Sequence, residues 1–519
     1  VTAGPGRRHA GVIAPVFSLR SAADWGVGEL PDIAPFCAWL AAAGQQSLHT
    51  LPILERVAGE RSPYGSLSAF AIDPVYVGLD ALEDFVAAGG RRALSSEDRD
   101  AIARLRADPA IAYDDVRVLK RRALELAFAT FERGAGKRVE AFAEFRREEA
   151  AWLDDYVLFR ALREHYGETP WPLWPVDAHR RRDAAALAAA RQSLDGRLRF
   201  HAYVQWVAHG QWRRARAAAR EVGVSIVGDL PFTVASDSAD VWSRPDDFDT
   251  AVSIGAPPDA FNADGQDWAL PAFRWDVVRA GGYRWLGERL AHAGRLLDGV
   301  RLDHIVGYFR TFVRPRHEAP GFVPGEEGEQ RALGAAALDA VARHAGSLSI
   351  IAEDLGAVPD FVREDLARRR VPGYRVLRWE TDGPVHRDPR RFPACSVTTS
   401  GTHDTSTLVA WWHDELDDDG RRRLSELPGF EALRDVGGEV TRRVHAGLVD
   451  GLYGAGSDLV LLLVQDLYAG TERINTPATV GTHNWSYRLP WTVETLAGAP
   501  ERARATWLRT IARRHGRLG

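Results

Sequence analysis

Three acidic residues each stand just past a short apolar run: Asp303 in LLDGVRLDH, Glu353 in SLSIIAEDLG and Asp404 in CSVTTSGTHDT. A carboxylate at the end of a buried strand loses solvation unless a partner or a reaction uses it. Three of them on one rim suit acetal cleavage. That chemistry needs an acid for the leaving oxygen and a carboxylate on the other side of the anomeric carbon. In its retaining form the second carboxylate attacks the carbon and forms an ester. A third can hold hydroxyls and oppose developing positive charge.

The neighbours divide the roles. Arg301 lies two residues before Asp303, so on a strand the two side chains share a face. A guanidinium beside a carboxylate favours the ionised form that a nucleophile needs; a structural Arg–Asp pair at a barrel mouth would carry the same signature. Glu353 follows the apolar run SIIA, and such surroundings raise a carboxyl pKa toward that of a proton donor. Its bland alternative is a salt-bridged strand-end pair. Asp354, next along, would point elsewhere. His304 could bind a sugar hydroxyl, and His403 with Asp404 could contact one ring. A metal site of His304, His403, Asp303 and Asp404 is disfavoured, because there is no HExxH and no short-range ligand spacing. No G-x-S-x-G elbow supports a serine nucleophile. No metal or other cofactor is expected.

Residues so placed require strands that end together. Eight short apolar runs qualify: 11–17, 47–53, 225–231, LDGVRLDH, LSIIAED, 374–380, 395–400 and LVLLLVQDLYAG. Helix-like periodicity fills the intervals between most of them. Alternating strands and helices predict an α/β fold, and eight such strands a closed (β/α)8 TIM barrel rather than an open sheet. One catalytic domain over 1–519 is expected. Residues 80–200 read as a largely helical insertion subdomain, 232–274 as a long loop region and 307–330 as a second loop excursion. No dinucleotide-type glycine fingerprint or P-loop follows any strand.

The bulk numbers agree with a soluble enzyme. The 519 residues are 45% apolar and 26% charged, with a formal net charge of −5, which leaves no basic footprint for nucleic acid. No cleavable leader and no 18-residue apolar run occur, so no membrane partner and a cytoplasmic location are expected. Cys37 and Cys395 lie in apolar runs and are expected to be free, buried thiols. Tryptophan is abundant, with 17 copies; ordinary core packing is the expectation for most of them, but Trp25, Trp268 and Trp485 lie in polar, Gly/Pro-rich segments where an aromatic face could stack on a sugar ring.

At these residues the pattern becomes specific. GVIAPVFSL with WGVGEL, SPYGSLSAFAIDP, VGDLPFTVASDSADVW, GAPPDAFNADGQDWALPAF, GVRLDHIVGYFR, IIAEDLG, SGTHDT and RINTPATVGTHNWSYR span nearly the whole chain. Together they resemble the amylomaltase or disproportionating-enzyme family, the 4-alpha-glucanotransferases of glycoside hydrolase family 77. The resemblance implies an enzyme that moves part of a 1,4-alpha-glucan to the 4-hydroxyl of an acceptor. It implies Asp303 as nucleophile, Glu353 as acid/base and Asp404 as transition-state stabiliser. Tyr64, Asp229, Arg301, His304 and His403 would line the donor side. Phe261, Asp264 and Trp268 would contact the acceptor from the loop at 255–268, and Asn475 and Asn484 would shape the cleft. The implied partners are maltooligosaccharides, starch- or glycogen-derived glucans, and glucose as acceptor. An alpha-glucan hydrolase with the same covalent intermediate is the alternative, and a non-catalytic glucan-binding scaffold the rival of another class. Tyr487 departs from the family pattern, in which a tryptophan commonly precedes the arginine.

Overall fold

The computed structural model describes residues 7–134, 136–258 and 265–518. Among these residues, fourteen strands run in chain order: β1 His9–Ile13, β2 Ser47–His49, β3 Ser225–Leu230, β4 Phe248–Ala256, β5 Gln266–Phe273, β6 Gly299–Leu302, β7 Thr311–Pro315, β8 Gly321–Val323, β9 Ser349–Ala352, β10 Gly373–Val376, β11 Thr381–Asp382, β12 Val385–His386, β13 Ser396–Thr399 and β14 Leu459–Leu463. Eight of them close a barrel in the order β1-β14-β13-β10-β9-β6-β3-β2. Every pair around it is parallel. All eight expected apolar runs contribute one strand each, although the strands are shorter than the runs. β14 is wholly buried (LVLLL), as parallel strands covered on both faces must be.

Helices supply the cover. Helix Ile33–Ala42 lies between β1 and β2, and Arg284–Leu296 delivers the chain to β6. Between β2 and β3 the chain is mainly helical from Glu83 to Glu221, including Ser96–Ala107, Tyr113–Glu132, Lys137–Glu148 and Ala150–His165. The helix Asp195–Glu221 runs through position 200 without a break and leads directly to β3. Its buried face includes Leu198, Tyr203, Val207 and Trp212, about one contact per turn toward the core.

The segment 232–274 is not a plain loop. It contains β4 and β5, which pair antiparallel, and β4 also pairs with β7 from the segment that follows β6. β8 completes a four-stranded antiparallel sheet. Two excursions far apart in the chain therefore form one unit beside the barrel mouth. Two further expectations need correction. Cys395 is exposed, whereas Cys37 is buried, because Cys395 precedes β13 rather than joining it. Trp25 is a core residue with 0% exposure, its indole N–H donating to Asp80 at 3.2 Å; it offers no face to a ligand. No helix among the described residues is long and apolar enough to cross a membrane.

Candidate active site

Register brings the acidic residues together. β3 and β6 pair Asp229 with Arg301, and β6 and β9 pair Leu302 with Ala352. One step further along, Asp303 faces Glu353. The ladder continues past the strands there: Glu353 N–H donates to Leu302 O at 3.0 Å, and Ile305 N–H to Glu353 O at 3.1 Å.

His304 then turns the chain. Its φ of 49° lies in the left-handed region, which a residue with a side chain enters at a cost. The turn aims the His304 N–H at Glu353 Oε2 (2.9 Å), while Leu355 N–H donates to Oε1 (2.9 Å). Gly307 leaves room for it, since a Cβ there would stand 2.7 Å from the His304 ring and 2.8 Å from Phe232. The His304 ring meets Trp268 edge-on, centroids 4.8 Å apart.

Arg301 is the centre of charge. Its Nη1 lies 2.8 Å from both carboxylate oxygens of Asp229 and 2.7 Å from Asp303 Oδ1. Its Nη2 is 3.8 Å from Glu353 Oε2. Burial disfavours a charge on Arg301, but Asp229 and Asp303 outweigh it and raise its pKa well above the ordinary value. Burial lifts Glu353 to about 8; Arg301 pulls it back and Asp303 pushes it further up. Asp229 is also raised, by burial first and against the pull of Arg301. Burial lowers His304 to about 4, which leaves it a neutral hydrogen-bonding ring at neutral pH.

Across the mouth stands an aromatic wall. The Tyr64 hydroxyl donates to Asp229 Oδ2 at 2.8 Å and lies 3.3 Å from His403 Nε2. Trp485 packs against both rings, with centroids 5.9 Å from Tyr64 and 5.4 Å from His403. His403 Nε2 is also 3.3 Å from Asp404 Oδ2. Burial opposes charge on either partner, yet their mutual attraction prevails: His403 is raised and Asp404 lowered. The Asp404 side chain is 40% exposed and is the most open of the three carboxylates. Its other oxygen accepts from Asn475 Nδ2 at 2.6 Å.

Asp303, Glu353, Asp404, Asp229, Arg301, His304, His403, Tyr64, Trp268 and Asn475 thus form one connected surface. Asn484 touches none of these side chains in hydrogen-bond terms. It is buried and braces its own loop, accepting from Thr476 N–H at 2.9 Å and donating to Thr479. Phe261 and Asp264 lie outside the described residues. Two contributors escaped the sequence reading. Arg473 donates to the Asp404 carbonyl at 2.6 Å, and the Tyr374 ring lies 5.9 Å from the Arg301 guanidinium carbon. The signal for Arg473 was its place two residues before Asn475. Nothing local marked Tyr374.

The chemistry open to this surface follows from its proton inventory. Glu353 can carry a proton near neutral pH, Asp303 is ion-paired beside it, and Asp404 is ionised across the mouth. Among the described residues no group of three His, Cys, Asp or Glu side chains stands where it could hold a metal ion. A cavity of about 20 Å³ is lined by His49, Asp229, Arg301, Tyr374 and His403.

Known proteins share this arrangement of chain. The family model for 4-alpha-glucanotransferase, glycoside hydrolase family 77, matches residues 14–494. The 4-alpha-glucanotransferase of Thermus thermophilus is 34% identical over 90% of this chain and 92% of its own length. That of Streptococcus pneumoniae serotype 4 is 31% identical over 93% of each chain. Among solved structures, the amylomaltase of Streptococcus agalactiae in complex with acarbose superposes with a TM-score of 0.83 at 25% identity, covering 98% of this chain and 100% of that one. With a family match over residues 14–494 and relatives aligned over nearly the full length, the chain belongs to the 4-alpha-glucanotransferases of glycoside hydrolase family 77.

Proposed function

We propose that this mouth cleaves a 1,4-alpha-glucan and passes the non-reducing fragment to the 4-hydroxyl of a second sugar, glucose or a longer glucan. Glu353 gives its proton to the glycosidic oxygen as an Asp303 carboxylate oxygen attacks the anomeric carbon. The C–O bond to the leaving sugar breaks, and that sugar departs with the proton. An acceptor then enters, and Glu353 takes the proton from its 4-hydroxyl. The new oxygen displaces Asp303 and restores the free carboxylate. Two inversions give net retention. Asp404 opposes the positive charge that develops at the anomeric centre. Asp229, Arg301 and His403 hold the donor sugar, and Tyr64 stacks on it.

The carrying observation is the contrast within one buried cluster. Glu353 is lifted to about 8, whereas Asp303 stands 2.7 Å from a permanent cation. Two carboxyl groups with opposite protonation needs sit side by side, which is the condition for acid and nucleophile roles. Transfer rather than hydrolysis requires that an acceptor outcompete water for the ester. We assign that task to the segment 255–268, whose two ends belong to β4 and β5 and whose Trp268, on β5, stands beside His304. Incubation with maltotriose tests the reading: transfer produces longer oligosaccharides as well as shorter ones, and hydrolysis alone gives only shorter ones.

A further inference from the structure

The wall formed by Tyr64, His403 and Trp485 is held from outside the barrel. Trp485 has a φ of 59°, a left-handed conformation that a bulky residue keeps only where its surroundings impose it. Two hydrogen bonds do so. Its N–H donates to Ile474 O at 2.7 Å, and its carbonyl accepts from the Tyr113 hydroxyl at 2.6 Å. Tyr113 is the first residue of helix Tyr113–Glu132 and is only 3% exposed. It belongs to the helical stretch between β2 and β3, not to the barrel rim.

The Tyr113 ring has a second duty. The Arg56 guanidinium carbon sits 3.8 Å from its centroid, and Phe17 meets it edge-on. Arg56 lies in the segment that leads from β2 to Tyr64 and is pinned by a fully buried ion pair with Asp73 at 3.0 Å. One side chain therefore ties together the two segments that face each other across the wall. Its ring steadies the segment bearing Tyr64, and its hydroxyl fixes the peptide of Trp485.

We propose that Tyr113 is a positioning residue of the transferase, setting the spacing of Tyr64, His403 and Trp485 through the Trp485 carbonyl. The proposal rests on the reading of that wall as part of the glucan site. Without the hydroxyl, the Trp485 peptide loses the bond that stabilises its left-handed turn. The indole then shifts from His403, whose Nε2 faces both Tyr64 and Asp404. The Tyr113 hydroxyl forms no hydrogen bond with Tyr64, His403 or Asp404; its bond is to the Trp485 carbonyl.

A double-mutant cycle separates this role from a general structural one. Tyr113→Phe removes one oxygen and keeps the ring under Arg56. Turnover of maltotriose is measured for the unmodified enzyme, Y113F, W485A and the double variant. Y113F alone is expected to lower kcat/KM about fivefold, as one lost hydrogen bond at a fixed wall allows. In the W485A background the same change is expected to cost less than about twofold, because neighbours acting through one another are not additive. Hydrogen–deuterium exchange adds a readout independent of turnover: peptides covering 474–488 should exchange faster in Y113F, and those covering β9 should not. Equal losses in both backgrounds, an unchanged kcat/KM in Y113F, or unchanged exchange at 474–488 would overturn the proposal. An unmodified enzyme that transfers no glucosyl units would overturn the functional reading and this proposal together; additive losses in an enzyme that does transfer overturn this proposal alone.

Discussion

Arg301 is the residue whose removal the site should tolerate least, and the size and pH dependence of the loss can be worked out. Arg301→Met keeps an unbranched stem and deletes the cation that touches Asp229 and Asp303 and faces Glu353. The Arg301 side chain is 12% exposed and that of Asp229 only 3%. Removing one member of a buried ion pair leaves the other uncompensated and typically costs about 3–5 kcal/mol. The sign with pH follows from the carboxyls left behind. Folding already raises Glu353 from 4.5 to about 8 and raises Asp229 as well. A carboxyl whose folded pKa exceeds its unfolded one binds more protons when folded, so stability falls as pH climbs from the unfolded value to the folded one. Arg301 lowers both groups, so its loss lifts them further, and each added unit costs about 1.4 kcal/mol once the pH is above it. The deficit of R301M should therefore be smallest near pH 5, at about 1–2 kcal/mol, where Glu353 carries its proton in both proteins, and should widen toward about pH 9, as the pH climbs past the Glu353 value of about 8. Urea unfolding followed by tryptophan fluorescence at the two pH values measures it. Transfer should fall in parallel by about 10²–10³-fold. A deficit that is equal at both pH values, or larger at pH 5, would refute the reasoning about the cluster.

The remaining expectations are shorter. The kcat/KM for maltotriose should decline on the alkaline side with an apparent pKa of about 8, as Glu353 loses its proton; a profile still flat well above that value would remove Glu353 as the acid. Asp303→Asn should abolish glucan rearrangement while calorimetry still detects maltooligosaccharide binding, and retained turnover would sink the nucleophile assignment. Deleting residues 258–266 should raise the ratio of released glucose to chain-length redistribution. If the two activities fall in step, the loop does not select acceptor over water.

The barrel was legible because most of its strands lie in short runs rich in apolar residues, the pattern that burial on both faces favours, as in LVLLL of β14. The side sheet was not. β4 and β5 (FDTAVSIGA and QDWALPAF) mix exposed and half-buried positions along their length, so neither alternation nor an apolar run marks them. Their pairing with β7 and β8 joins parts of the chain that no local pattern connects. The site shows the same division. Arg301 and Asp303 share a face by simple two-residue spacing, which the sequence displays. The equally close approach of Arg301 to Asp229 depends on the β3–β6 register, and the hold of Tyr113 on Trp485 spans 372 positions. Contacts of that range are properties of the closed barrel and its helical cover, and local sequence carries no trace of them.

The central claim is transfer through a covalent intermediate on Asp303. Maltotriose incubated with isotope-labelled glucose, with products separated by length, tests it most directly. The expected result is a ladder extending above maltotriose, with label at the reducing ends of maltose and longer sugars and little net gain of reducing ends. Products no longer than maltotriose, unlabelled and matched by new reducing ends, would contradict it and make the protein a hydrolase.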